Sequence, residues 1–296
     1  MSDIILRKKI SNIQLIKEIL KSRILRMLFS LHSQSNLKQF ESQKKLLIDL
    51  LNSEKFIIII LDACRPESLH KWLSHNKPSL LKYLTKVRSE GKTTKSWFIK
   101  TFKDYQFDLT YISGNPYINS TGITPVGKIA RNCFTEIVDA WREWSENEQT
   151  CTPQTMNKFA LINLNKPRLI VHYLQPHQPY IGDIRIPEYM QFISNWNEMK
   201  LRHLQRLEMG FDPPKILQVF SSRIFNEDEK NIIRQAYESN VNLVCSHAFQ
   251  LIDKIKEGTI IITSDHSEMM GENGCWFHYQ GHPKLHIVPW LKISKS

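Results

Sequence analysis

Residues 260–268, IIITSDHSE, constrain this chain most, because an apolar run of strand length stops abruptly in an adjacent carboxylate and imidazole, Asp265 and His266. A second stretch is built the same way. In residues 56–69, FIIIILDACRPESL, the apolar run ends in Asp62 and is followed by Arg65 and Glu67. Ligands of open α/β sheets bind in the crevice beyond the carboxyl ends of the strands, so two such ends can build one site from residues far apart in sequence. A single Asp at a strand end is more often a cap or turn residue, and it is the pairing of the two stretches that points to a metal. Asp62, Asp265 and His266 would supply two oxygens and one nitrogen. Hard ions such as Mg²⁺ prefer oxygen, and an added imidazole moves the preference toward Mn²⁺ or Zn²⁺.

Strand signals recur at 56–61, 109–113 and 168–173, with helical periodicity at 66–73, 129–144 and 228–255. This alternation predicts an α/β fold, a doubly wound and mostly parallel sheet with helices on both faces. Two units are expected, an N-terminal helical extension over 1–52 and a catalytic domain over 53–296. The stretch 181–225, broken by Pro187, Gly210, Pro213 and Pro214, reads as an insertion near the mouth of the site, where it could set substrate choice.

The chain has 296 residues and a formal charge of +11, which favours anionic partners. No helix-turn-helix, zinc-finger or RNA-recognition signature accompanies the charge, which argues against sequence-specific nucleic-acid binding. There is also no GxGxxG or GxxxxGK[ST] after any strand. The five cysteines are odd in number and form no CxxC pair, which favours a reducing compartment over a disulfide framework. With no signal-peptide core and no apolar run of bilayer length, a cytoplasmic location is expected. Ile13, Ile16, Leu20 and Ile24 recur at helical spacing among lysines and arginines, a pattern that suits either peripheral contact with a membrane or a helix packed on its own domain.

The segments LDACRPESL, TTKSW, ISGNPY, HYLQPHQPY and TSDHSEMMGENG, followed by GH and VPWL, resemble the sulfatase-like branch of the alkaline-phosphatase superfamily. The similarity runs over residues 56–291 and leaves out the N-terminal helices. It implies an alkaline-phosphatase-like fold and one divalent ion (Mn, Zn, Mg or Ca) held by Asp62, Asp265, His266 and a nucleophilic Thr94. Thr93, Thr94 and Ser96 lie together in GKTTKSWF, so helix capping by all three is an alternative reading of that segment. The chemistry implied is hydrolysis or transfer of a phosphate or sulfate ester through a covalent threonine intermediate. His177 or His282 would touch substrate oxygens or protonate the leaving group, with Asn115 as a further substrate contact. Arg65 would either clamp the anion or form an ordinary salt bridge.

Three departures from the family pattern bear on function. Ser267 stands where relatives show Gly. HYLQPHQPY offers no carboxylate for a second ion, so a single metal is expected. The formylglycine signature C-x-P-x-R is missing, since CRPES at Cys64 and CTPQT at Cys151 both lack its final Arg. A phosphoester is therefore favoured over a sulfate ester, carried by a small molecule or by a glycan or lipid. The competing reading is a catalytically silent relative that binds an anionic polymer or glycan precursor. Oligomeric state is left open by the sequence.

Overall fold

The computed structural model describes residues 37–51, 53, 55–187, 225–278 and 282–295. The amphipathic pattern at Ile13 to Ile24, and most of the 181–225 insertion, lie outside these residues.

Seven strands form one sheet: β1 (Phe56–Asp62), β2 (Leu84–Arg88), β3 (Phe107–Ser113), β4 (Phe134–Val138), β5 (Arg168–Pro176), β6 (Gly258–Thr263) and β9 (Ile287–Lys295). Their order is β2-β9-β6-β1-β5-β3-β4. Strand β1 runs parallel to both neighbours, β5 and β6, and β3 is parallel to β4 and β5. Only β9 runs against its neighbours, β6 and β2, so the sheet is mostly parallel, as the alternation of elements predicted. Two short strands, β7 (Met269–Met270) and β8 (Trp276–Phe277), pair separately.

Every residue of β1 is buried, because both sheet faces are covered. Ile57, Ile59 and Leu61 pack with α2 (Pro66–Asn76), α5 (Pro153–Ile162) and the long α6 (Glu227–Lys254). Phe56, Ile58 and Ile60 pack on the other face with α1 (Gln43–Leu51), α3 (Thr94–Phe102) and α4 (Pro125–Cys133). Helix α1, which the sequence reading put in an N-terminal extension, thus belongs to this core through Leu47 and Leu51. Its Gln43 is fully buried, donates to Thr263 Oγ1 (2.8 Å) and Ser264 O (2.7 Å), and accepts from Trp97 Nε1 (2.9 Å). One side chain therefore ties the end of β6 to the start of α3.

One expectation is corrected. The helix expected over 129–144 ends at Cys133 and gives way to β4, because FTEIV is rich in β-branched and aromatic side chains that suit an edge strand beside β3. Strand β9 was not expected, since Pro289 inside it weakens a strand signal. Its carbonyl is used nonetheless, accepting from Thr263 Oγ1 at 2.7 Å.

The loop before α3 depends on Gly91, where a Cβ would meet Trp97 N at 2.1 Å and Trp97 Cα at 2.4 Å. These are backbone atoms inside a helix and cannot step aside cheaply. Gly91→Ala is expected to lower stability by about 2–3 kcal/mol through overpacking, read as a fall in the urea midpoint.

Candidate active site

The carboxyl ends of β1, β3, β5 and β6 meet at one edge of the sheet, and the candidate residues come from the turns that follow them. Asp62 closes β1 and is buried. The chain leaves it through Ala63, held at φ 60 while its N–H donates to Asp265 Oδ1 (3.2 Å) and its carbonyl accepts from Tyr237 on α6 (2.9 Å). A left-handed alanine costs of order 1–3 kcal/mol, and here it lets the strand turn away directly behind the carboxylate. Ser264, just past β6, accepts from Cys64 N (2.8 Å) and donates to His266 O (2.6 Å), locking the two strand ends together.

The three clustered hydroxyls separate by geometry. Thr93 is the N-cap of α3 and forms a capping box with Ser96, so both are committed to the helix terminus. Thr94 is the first helical residue and turns inward, donating to Asp62 Oδ2 at 3.3 Å. Asn115, in the turn after β3, donates to the same oxygen at 2.9 Å and lies 3.3 Å from Thr94 Oγ1.

Asp62, Asp265 and His266 offer ligand atoms that all lie within 4.8 Å of one another. The His266 ring shares Nδ1 with Ser267 O at 2.9 Å, so Nε2 is the nitrogen turned to the aspartates, 3.5 Å from an oxygen of each, and the one a cation would take. Asp62 Oδ1 and Asp265 Oδ2 are buried with no hydrogen-bond partner. Two orphaned carboxylate oxygens and an imidazole lone pair converging out of water fit a divalent cation, with Thr94 in reach as a further oxygen.

The electrostatics match that donor set. Burial and the charge of Asp265 hold the Asp62 carboxyl well above its ordinary range. Burial opposes the charge of Asp265 as well, but the charge of His266 and hydrogen bonding, with the Ala63 N–H among the donors, bring it below its usual value. His172 lies at the back of the site, with Nδ1 2.7 Å from the Tyr111 hydroxyl and Nε2 3.8 Å from Asp62 Oδ2. Burial lowers its pKa to about 4, so it is neutral. It is a buried histidine of β5 whose hydrogen-bond partner is Tyr111.

A second group was missed. His177, Glu268 and His278 also present ligand atoms within 4.8 Å of one another. His278 Nδ1 lies 3.1 and 3.2 Å from the two Glu268 oxygens, and its ring lies against those of His266 (4.5 Å) and His177 (5.0 Å), tilted by 49° to each. Burial raises the Glu268 pKa to about 7. The expectation of a single ion rested on the lack of a carboxylate near His177, whereas Glu268 arrives from the turn after β6. The spacing Asp265-x-x-Glu268 was the available signal.

Other expected residues are placed differently. His282, read as a substrate contact, caps a short 3₁₀ turn by accepting from Lys284 N (3.1 Å) and lies 3.3 Å from Asn273 Nδ2. The imidazole packed against the site is His278. Arg65 forms the ordinary ion pair of the two readings, meeting Glu272 at 2.5 Å, while Glu67 lies 4.0 Å away. Asn115, read as a substrate contact, spends its amide on Asp62 and Thr94. Ser267, which replaces a glycine of the family pattern, is not among the residues with positive φ, so its side chain imposes no such strain.

No family model and no curated protein matches the sequence. Solved structures do. The soluble domain of lipooligosaccharide phosphoethanolamine transferase A from Neisseria meningitidis aligns with a TM-score of 0.50 at 17% identity, covering 81% of this chain and 77% of that one. The C-terminal periplasmic domain of EcEptC from Escherichia coli, in complex with Zn, gives 0.50 at 12% identity, covering 87% and 76%. A putative sulfatase from Bacteroides thetaiotaomicron gives 0.51 at 9% identity, covering 82% and 65%. The chain has the alkaline-phosphatase-like fold of these structures.

The raised Asp62 pKa has a consequence for the metal-free protein. The folded state binds this proton more tightly than the unfolded chain does, so stability is highest below the ordinary value of 3.8 and falls as pH rises through the raised value. At pH 7 the metal-free Asp62→Asn variant is expected to be more stable than metal-free wild type by about 1–3 kcal/mol, the cost of an unpaired buried charge. Urea unfolding in EDTA should show that advantage shrinking as pH falls from the raised value and gone below about pH 4.

Proposed function

We propose that this protein, with the fold of the alkaline-phosphatase superfamily, is a metal-dependent enzyme that hydrolyses or transfers a phosphoester through Thr94. The observation that carries the reading is the convergence of Asp62, Asp265 and His266 with the one hydroxyl of its cluster that capping leaves free. A divalent ion bound by these residues would favour the alkoxide of Thr94 and offset charge on the phosphoryl oxygens.

The side chains supply the rest. Asn115 fixes Asp62 Oδ2, and that oxygen receives the Thr94 hydroxyl hydrogen, aiming the Thr94 lone pairs into the crevice. Attack forms a bond from Thr94 Oγ1 to phosphorus and breaks the bond from phosphorus to the leaving oxygen. His177 shares Nδ1 with Gln178 O at 2.6 Å and turns Nε2 to the crevice, where its protonated form can hand a hydrogen to that oxygen. Water or an acceptor alcohol then attacks the phosphothreonine and releases Thr94.

The absence of C-x-P-x-R favours phosphate over sulfate, and the charge of +11 favours an anionic substrate. The meningococcal neighbour is by name a lipooligosaccharide phosphoethanolamine transferase, which supports a glycan- or lipid-linked ester as the substrate class. Contact with a membrane surface suits such a substrate. No helix among the described residues is long and apolar enough to cross a membrane. All five cysteines are buried thiols outside any disulfide, which supports a reducing compartment such as the cytoplasm.

The test is turnover of a generic phosphomonoester, phosphodiester and sulfate ester with Mn²⁺, Zn²⁺, Mg²⁺ or EDTA. Phosphoester turnover is expected to need the metal and to fall about 10³-fold or more in Asp265→Asn and Thr94→Ala. Thr93→Ala should stay within about tenfold and instead lose about 1 kcal/mol of stability as a cap. Mass spectrometry of quenched enzyme should find phosphate on Thr94. Absence of turnover for every ester and metal would favour the silent anion-binding relative.

A further inference from the structure

Across β3, β5 and β1 a diagonal row of three polar side chains lies on one face of the sheet, all of them buried. Tyr111 sits opposite Ile170, and His172, two residues on, sits opposite Ile60, itself two residues before Asp62. Side chains alternate along a strand, so Tyr111, His172 and Asp62 share the face covered by α3, whose Trp97 packs edge-on to the His172 ring at 6.0 Å. None of the three has access to water: Tyr111 and His172 are fully buried and Asp62 is 1% exposed.

Their hydrogens can be assigned by elimination. The Tyr111 hydroxyl lies 2.7 Å from His172 Nδ1, and the described residues give its hydrogen no other acceptor. The phenol is therefore the donor and Nδ1 the acceptor, which leaves the ring proton on Nε2. That nitrogen has no hydrogen-bond partner and faces Asp62 Oδ2 across 3.8 Å. The opposite tautomer would aim a lone pair at a carboxylate in a dry interior, which is repulsive.

We propose that Tyr111 is a positioning residue for the metal site: by donating to His172 Nδ1 it fixes the Nε2–H tautomer, whose N–H points at Asp62 Oδ2 and holds that carboxylate in its ligand orientation. This rests on the reading of Asp62 as a ligand. Groups behind a metal's ligands set its affinity through such contacts, and their loss costs about 10- to 100-fold in binding. Here the chain is one group longer. Asn115 fixes Oδ2 from one side and His172 faces the same oxygen from another, which keeps Oδ1 turned toward Asp265 and His266.

The test uses the ¹⁵N-labelled full chain. Long-range ¹H–¹⁵N spectra of the metal-free protein should show His172, assigned by its loss in His172→Gln, as the Nε2–H tautomer, and Tyr111→Phe should shift it toward Nδ1–H. In Mn²⁺ titrations Tyr111→Phe should weaken binding about tenfold. His172→Gln, whose amide can still donate toward Asp62, should weaken it less, and adding Tyr111→Phe to that background should change it less than about twofold. Finding Nδ1–H in wild type overturns the proposal, as does a Tyr111→Phe protein with unchanged Mn²⁺ affinity, or one whose effect persists in the His172→Gln background. Failure of wild type itself to bind Mn²⁺, with Asp265→Asn as the baseline, would instead sink the reading of Asp62 as a ligand, and with it this role for Tyr111. The wild-type tautomer is read without Tyr111→Phe, so a Tyr111→Phe protein that does not fold leaves the assignment open to refutation.

Discussion

Two carboxylates from strands some two hundred residues apart lie side by side in the dry interior of this protein, and much of the surrounding structure serves to hold them there. Asp62 and Asp265 repel each other, and burial opposes the charge of both. Such a pair cannot arise from packing alone. It is imposed by a rigid frame in which β1 and β6 are hydrogen-bonded neighbours, so that their ends must emerge together. The fixtures are the Ser264 hydroxyl, the left-handed Ala63 pinned by Tyr237, and Ser89, which donates to Asp265 O at 2.5 Å from the end of β2. Gln43 adds the link from the end of β6 to α3 and so fixes Thr94 relative to Asp265. The stability given up at this point is returned by any cation that fits between the two orphaned oxygens.

The part of the site that the sequence disclosed is the part written locally. An unbroken apolar run such as FIIIILD is explicable only by a strand covered on both faces, and its end in Asp62 marks where the chain leaves the core. The same holds for Asp265 and His266 after β6. What stayed hidden depends on contacts between distant segments. Arg65 meets Glu272, some two hundred residues on, and no local pattern distinguishes that pair from an anion clamp. His278 follows Phe277, at φ 61, and packs against His266, while His282 caps a short 3₁₀ turn; no local pattern tells the two histidines apart. The strand β9 hid behind Pro289, which weakens a strand signal in sequence but in the fold supplies its carbonyl to Thr263.

The GKTTKSWF segment shows why residue type alone is not enough to name a nucleophile. Three hydroxyls within four residues are chemically equivalent on paper, and capping accounts for any of them. A helix has one N-cap, however, and a capping box takes two hydroxyls, here those of Thr93 and Ser96. The residue between cap and box partner must then point elsewhere. Since α3 starts beside the end of β1, held close by Gly91, that direction is toward Asp62. Capping and the contact with Asp62 are thus complementary uses of neighbouring residues, and the first orients the second.

The same economy runs through the histidines. His266, His177 and His278 each commit Nδ1 to a nearby oxygen, of Ser267, Gln178 and Glu268 respectively. An imidazole with its Nδ1 hydrogen engaged presents Nε2 as the basic atom. The three rings come from three different turns, and each has its Nδ1 held by a carbonyl or carboxylate oxygen. His172 has the reverse arrangement: its Nδ1 faces a donor, and its Nε2 faces a carboxylate. It lies behind the aspartates, within the sheet, where a nitrogen lone pair would be repelled by Asp62 and an N–H is attracted to it. The place of His172 behind Asp62 is set by strand register, since His172 pairs with Ile60, two residues before Asp62.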